Sequence, residues 1–172
     1  MKLKAVNLKR FTNTFLMGAL ALSLALATAQ NFAQEAAGSH EYSADGETTI
    51  ETVNGLRVIT LRDNVFVRQN NIELTGDVAV LEYNQNNQLQ KVQVTGVPAN
   101  FEQKAEQAND VVNGDSDTIN YYAGLESIVE FIGSANFAQP GTTLRCAQIR
   151  HTIESGATSG QACSGSLSPQ SN

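Results

Sequence analysis

Few side chains in this 172-residue chain are of the types that carry out chemistry, and those few are widely spaced. There are two cysteines, Cys146 and Cys163, and two histidines, His40 and His151. A structural zinc site needs about four Cys or His ligands, some of them closely paired as in CxxC. Because no CxxC occurs, the sequence predicts no metal site, and no motif calls for a cofactor.

Enzymatic groups are equally sparse. A hydrolase needs a nucleophile beside an oriented base, and two scattered histidines without a Gly-x-Ser-x-Gly motif offer little to build one from. The carboxylates of Asp115 and Asp117 would be the pair for a glycosidase. They lie next to a predicted strand start, however, where turn-forming aspartates are common. The sequence therefore predicts no catalytic residue and a protein that is not an enzyme.

The first 29 residues have the pattern of a signal peptide. Lys2, Lys4, Lys9 and Arg10 precede an uncharged run over residues 11–29 that ends in Ala27-Thr28-Ala29. The alternative is a membrane anchor, but the apolar run over residues 15–27 is short for a bilayer. We expect cleavage after Ala29, with Ala33 as a second possible site, and export of the remainder.

Loss of the leader makes the chain strongly acidic. It removes four of the 11 basic residues and none of the 17 acidic ones, which leaves a net charge of −10. Such a surface argues against binding to nucleic acid and against adhesion to anionic bilayers by charge. Any lipid that this protein holds must therefore be held by apolar contact.

Export makes a disulfide between the two cysteines chemically allowed. If their strands form one hairpin with its turn at Glu154-Ser155, residues whose numbers sum to 309 face each other, and Cys146 and Cys163 have that sum. The prediction is a cross-strand bridge, worth about 3 kcal/mol in the chain-entropy model. The alternative is two free thiols that pack as small core residues.

The elements that would position these residues are β-strands arranged in a repeated unit. A segment beginning with a small residue or Asp is followed by a turn and a returning strand with one glycine. The distances from Asp77 to Gly96, Asp117 to Gly133 and Ala147 to Gly160 are 19, 16 and 13 residues. No 3.6-residue apolar period persists for three turns. The class is therefore all-β and antiparallel: a sandwich, jelly roll or barrel.

Turn signals divide the mature chain further. Asn54-Gly55 between two β-rich runs predicts a hairpin, Asp63-Asn64 breaks the next run, and residues 84–88 make a polar turn rather than an aggregation-prone tract. Residues 102–113 are interpreted as a connection, with one helical turn as the alternative. We expect a loose N-terminal arm over residues 30–46, one domain over residues 47–163, and a disordered tail over residues 164–172.

The strings Asp77-x-Ala79-x-Leu81, Asp117-x-Ile119-x-Tyr121 and Gly96-x-Pro98-Ala99-x-Phe101 resemble the LptA/OstA family of periplasmic lipopolysaccharide-transport proteins. The similarity covers about residues 47–163. It implies a β-jelly roll that is open along one side into a V-shaped groove. It also implies a periplasmic protein that stacks head to tail and carries lipopolysaccharide from an inner-membrane extractor to an outer-membrane translocon.

Strand alternation, read together with this resemblance, selects the residues expected to contact the lipid A acyl chains. On matching positions the groove aromatics fall on Phe101 and Tyr121, and the remaining lining residues share their face. For each position the alternative is ordinary core packing. The predicted lining is Ala79, Leu81, Val92, Val94, Phe101, Ile119, Tyr121 and Ile149.

The last repeat departs from the family pattern, with His151 in place of an apolar residue, Ala147 in place of Asp, and two cysteines. A lone histidine among apolar neighbours is most often structural. A second function class therefore stays open: an envelope adaptor of the same fold that does not transport lipid. Two layers closed over a filled interior would argue against transport.

Overall fold

The computed structural model describes residues 40–104 and 111–168, and within these ranges the chain forms ten β-strands and no helix. No helix in this part of the chain is long and apolar enough to cross a membrane. The strands are β1 (His40–Ser43), β2 (Thr48–Val53), β3 (Leu56–Gln69), β4 (Ile72–Tyr83), β5 (Leu89–Gln103), β6 (Val112–Tyr122), β7 (Ile128–Gln139), β8 (Thr142–Thr152), β9 (Thr158–Gln161) and β10 (Ser164–Leu167).

All ten strands belong to one antiparallel sheet in which β3 to β8 pair in chain order. At the N-terminal edge, β1 and β2 pair with the two halves of β3. At the C-terminal edge, β9 and β10 pair with the two halves of β8. The all-β, antiparallel class predicted from the sequence is confirmed. Its hairpin at Asn54-Gly55 is also confirmed, with both residues at positive φ as a tight hairpin turn requires.

A line of register shifts, here called the crease, crosses the sheet through β3 to β8. The pairing slips between Arg62 and Val65, and again at matching places on each following strand. Phe131 and Phe137 lie on opposite sides of the crease in β7, yet their ring centroids are 5.8 Å apart. Six residues of extended strand span about 20 Å. The strand must therefore bend sharply, and the sheet folds into two facing layers.

The first layer contains β2, β9 and the segments of β3 to β8 that lie on the same side of the crease as these two strands. Phe131 and His151 belong to this layer. The second contains β1, β10 and the remaining parts, which include Phe101 and Phe137. Alternate side chains of both layers point inward and form one apolar core. Two facing layers agree with the expected fold, but the space between them is filled by side chains, so the described residues do not form the open groove that the resemblance implied.

The repeated Asp and Gly of the sequence mark the crease. Gly96 and Gly133 lie within the register shifts of β5 and β7. A Cβ at Gly133, which has a φ of +78°, would collide with the Asp117 carboxylate of the neighbouring strand, and one at Gly96 would lie 2.8 Å from the Pro98 carbonyl oxygen. Both glycines are required where the chain bends.

Three boundaries differ from those expected. Asp63-Asn64 does not end a strand, because both residues adopt positive φ and carry β3 across the crease. Four residues of the expected arm form β1, and four residues of the expected tail form β10. These edge strands have mostly exposed side chains and therefore lack an alternating apolar pattern.

The predicted signal peptide and both of its cleavage sites lie outside the described residues, as does most of the connection expected over residues 102–113. The structure does place residues 101–103 at the end of β5 and residues 112–113 at the start of β6.

Candidate functional site

The eight predicted lining residues lie together between the two layers. Seven of them belong to two adjacent rows that cross the first layer from strand to strand; Phe101 faces them from the second layer. The rows contain Ala79, Val94, Ile119 and Ile149, and Leu81, Val92 and Tyr121. Each of the eight is 0–3% exposed. In this structure they form a closed interior, so their contact with lipid is a proposal that requires the layers to part.

Aromatic side chains fill the space between the layers. The rings of Phe101 and Phe131 meet edge to face with centroids 5.6 Å apart, and Phe137 contacts both Phe131 and His151. Gly114 makes room for this cluster, because a Cβ there would lie 2.6 Å from the Phe131 ring. Large rings that meet edge to face therefore occupy much of the space between the layers.

Phe137 and Phe131 were not among the predicted lining residues, although the sequence repeat contained a signal for Phe137. Ala135-Asn136-Phe137 repeats the string Ala99-Asn100-Phe101, although it follows its crease glycine one residue sooner, and both phenylalanines are buried in the second layer. Phe131 carried no such signal, since it has the same alternation as any core residue.

Opposite the crease, the strand ends of the two layers meet along a line here called the mouth. His40 of β1 contacts Tyr83 of β4 there, with ring centroids 5.8 Å apart. Leu89 and Ile72 are also buried, each 5% exposed. Burial lowers the pKa of His40 and raises that of Tyr83, so both side chains are neutral at pH 7.

Within residues 40–104 and 111–168, no connection at the mouth crosses from one layer to the other. The turns after β2, β4, β6 and β8 join strands of the first layer, and those after β3 and β7 join strands of the second. In the described residues the chain passes between layers only at the crease. Among the residues that the structure describes, side-chain contacts therefore hold the mouth.

One histidine near the C-terminal edge is almost fully buried. His151 is 1% exposed; its Nδ1 lies 2.9 Å from the Thr158 hydroxyl, while its Nε2 has no hydrogen-bond partner. Burial lowers the pKa of His151 below its usual value of 6.5. In the same row, burial raises the pKa of Tyr121. None of the described side chains between the layers is therefore charged at neutral pH.

The inward rows end in exposed apolar side chains at both edges of the sheet. Ile50 of β2 pairs with Ile59 and continues a core row, yet it is 62% exposed. At the other edge Leu167 of β10 occupies an inward position and is 82% exposed. These residues lack a neighbouring strand to cover them.

The outer face carries polar clefts in place of an apolar groove. One of them, of about 670 Å³, is formed by β6, β7, β8 and β10 and includes Asp115, Asn136 and Arg145. Asn136 donates a 2.8 Å hydrogen bond to the Asp115 carboxylate, so this aspartate has a structural partner. No group of three or more potential metal ligands occurs in the described ranges.

Cys146 and Cys163 are joined by a disulfide bond. The pairing of β8 with β9 has the register expected from the sum of 309, for example Gln148 with Gln161. The bond lies at the corner between β9 and β10. A Cβ on Gly160 would lie 2.7 Å from the Cys146 sulfur, so glycine makes room for the bridge.

The family model for the LptA/LptD N-terminal domain lipopolysaccharide transport protein matches residues 34–157 of this sequence. The chain belongs to this family. Compared with the expected range of residues 47–163, the match begins earlier, in agreement with β1 lying at residues 40–43, and ends earlier, at residue 157. No curated protein is similar enough in sequence to count as a match.

A solved structure supports the fold of this LptA/LptD-type chain. It is LptH of Pseudomonas aeruginosa, described as the LptA-homologous periplasmic component of the conserved lipopolysaccharide transport device. The two sequences are 24% identical, and the superposition covers 77% of this chain and 96% of LptH with a TM-score of 0.67. At this identity the likeness establishes the shared fold.

Proposed function

We propose that this protein binds lipopolysaccharide in the periplasm and carries it from the inner to the outer membrane through the interior between its two layers. The observation that carries this proposal is the mouth, at which no described connection joins the layers. Separation about the crease would break side-chain contacts and leave the ladder hydrogen bonds of both layers intact.

The energetics of opening favour an apolar guest. Parting the layers exposes phenylalanine and aliphatic side chains that are now buried, which costs free energy in water. Acyl chains that enter the gap would offset that cost, at roughly 0.8 kcal/mol per buried methylene. The sugar and phosphate head would stay in water at the mouth, as the absence of charge on the described interior side chains requires.

The directions of the edge strands support head-to-tail stacking of copies. Along the chain, β1 and β2 run from the mouth of the second layer to that of the first, and β9 and β10 run in the reverse direction. A copy translated along the sheet would therefore set its β1 antiparallel to β10 of its neighbour and its β2 antiparallel to β9. Ile50 and Leu167 would be covered, and the inward rows would continue into the next copy.

The decisive test is site-specific photocrosslinking in cells. A benzophenone amino acid at Phe101 should capture lipopolysaccharide, whereas the same group at the neighbouring, outward-facing Asn100 should not. Capture of protein alone, or of nothing, at Phe101 would contradict transport. Depletion should also stall newly made lipopolysaccharide at the inner membrane, where the extractor acts, short of the translocon.

Stacking has its own test. Ile50→Asp should place a charge at the edge contact and shift the protein toward monomers in light scattering, by about tenfold or more in the association constant. Val53→Asp is a matched control, because Val53 is exposed on the same strand but points outward. Equal effects of the two variants would argue against the proposed edge pairing.

The alternative function is an envelope adaptor that does not transport lipid. One observation favours it: all eight predicted lining residues are buried in a closed interior. In that case a disulfide that locks the mouth should preserve function. Transport, in contrast, requires a mouth that opens, so a crosslink between the positions of His40 and Tyr83 should stop lipopolysaccharide from binding.

A further inference from the structure

Three buried polar side-chain atoms in the described residues have no hydrogen-bond partner: His40 Nε2, Gln69 Oε1 and His151 Nε2. Of these three residues, only His151 is almost fully buried, at 1% exposed. Nε2 of His151 is buried and has no partner, although the ring is held on its other side by the Thr158 hydroxyl. An unpaired polar atom in an apolar interior costs about 1–3 kcal/mol in general. Such an atom in a cargo-binding interior is expected to find its partner on the cargo.

His151 has the position of a cargo contact. It lies in the row that also contains Tyr121 and Val129, and it faces the second layer, where its ring contacts that of Phe137 with centroids 5.0 Å apart. If the layers part, Phe137 moves away and Nε2 is presented to whatever fills the gap. Thr158 remains in the first layer with His151, so the ring keeps its orientation.

We infer that His151 binds a hydroxyl group carried on an acyl chain, so that the interior prefers hydroxylated acyl chains to plain ones. This inference rests on the proposed function, since it requires acyl chains to enter between the layers. It adds a chemical preference that apolar contact alone does not supply.

The chemistry selects a hydroxyl over other polar groups. If Nδ1–H donates to the Thr158 hydroxyl, Nε2 is an acceptor; if the hydroxyl donates to Nδ1, Nε2 carries the proton and is a donor. A hydroxyl satisfies both cases because it donates and accepts. A phosphate or carboxylate would favour the charged imidazolium, which burial of the ring opposes.

The test compares two ligands that differ by one hydroxyl. Tetradecanoic acid and 3-hydroxytetradecanoic acid would each displace a fluorescent fatty acid from the mature, oxidised protein. The hydroxylated acid should bind about three- to tenfold more tightly, as one net hydrogen bond provides. His151→Leu should abolish this preference while retaining affinity for tetradecanoic acid, and His151→Gln, which keeps a polar group, should restore part of it.

A matched variant separates this preference from general packing. Ile149→Ala, two residues away on the same inward face, should weaken both acids equally. Circular dichroism and thermal unfolding would check that each variant is folded. Equal affinity of the wild type for both acids, or an unchanged preference in His151→Leu, would overturn the assignment of His151 alone. Failure of either acid to displace the probe would overturn lipid binding as well.

Discussion

The two edges of the sheet have the same architecture but are held together by different means. At each edge two short strands cover the two layers and meet at the crease: β1 with β2, and β9 with β10. The N-terminal corner is fixed by the backbone hydrogen bonds of Asp45 and Gly46 to β3, at 2.8 and 2.9 Å. The C-terminal corner is fixed by the disulfide.

The side-chain contacts of the edge strands explain why one corner is held by hydrogen bonds and the other by a disulfide. β1 gains an ion pair from Glu41 to Arg68 and the contact of His40 with Tyr83. β9 and β10 are exposed along nearly all of their length, and Gly160 and Gly165 contribute no side chain. Short strands that bury little apolar surface are marginal in water. A covalent bond compensates at the edge where packing is weakest.

Removal of that bond should give the largest effect. The double variant Cys146→Ser, Cys163→Ser is expected to lose about 3 kcal/mol in free energy of unfolding, because the bridge closes a loop of 16 residues. Urea unfolding of the wild type and the variant would measure the loss. Hydrogen exchange should show faster exchange at residues 158–167 than at β1, and lipid binding should persist. Unchanged stability would mean that the ladder alone holds this edge.

A smaller loss should follow from crowding of the N-terminal corner. In Gly46→Ala the new methyl group would collide with the Asp63 carboxylate and lie 2.7 Å from the Arg62 carbonyl oxygen. Overpacking of this kind typically costs about 1–3 kcal/mol. Thermal unfolding would test this, with Gly124→Ala as the control, since its Cβ would meet nothing closer than 3.5 Å. Equal stability of the two variants would show that the corner can relax.

The edges also separate what the sequence could predict from what it could not. The central hairpins carry alternating apolar residues between turn signals, so their strands and the register of β8 with β9 follow from local pattern. β1 and β10 are defined by the strand beside them. Their side chains are mostly exposed, and no local signal distinguishes them from a loose arm or tail.

For the candidate site, the sequence predicted which residues face inward but not the distance between the layers. Alternation identifies an inward face, and the eight predicted residues do face inward. An inward face is the same pattern whether two layers enclose a core or a groove, so the sequence could not determine how far apart the layers lie. The sequence also could not predict the positive φ of Asp63 and Asn64, because Asp and Asn are common both at strand ends and at bends within a strand.

The smallest expected effect is a dependence on pH that differs between the ends of the sheet. Burial lowers the pKa of both histidines in the folded protein, so below pH 6.5 the unfolded chain binds protons that the folded protein does not. Stability is therefore complete above that pH and falls as the pH drops toward the folded-state values. Urea unfolding at pH 7.5 and 5.5 would measure the fall. His151→Leu should reduce it more than His40→Leu, because His151 is more deeply buried. An equal fall in both variants would mean that the two rings resist protonation to the same extent.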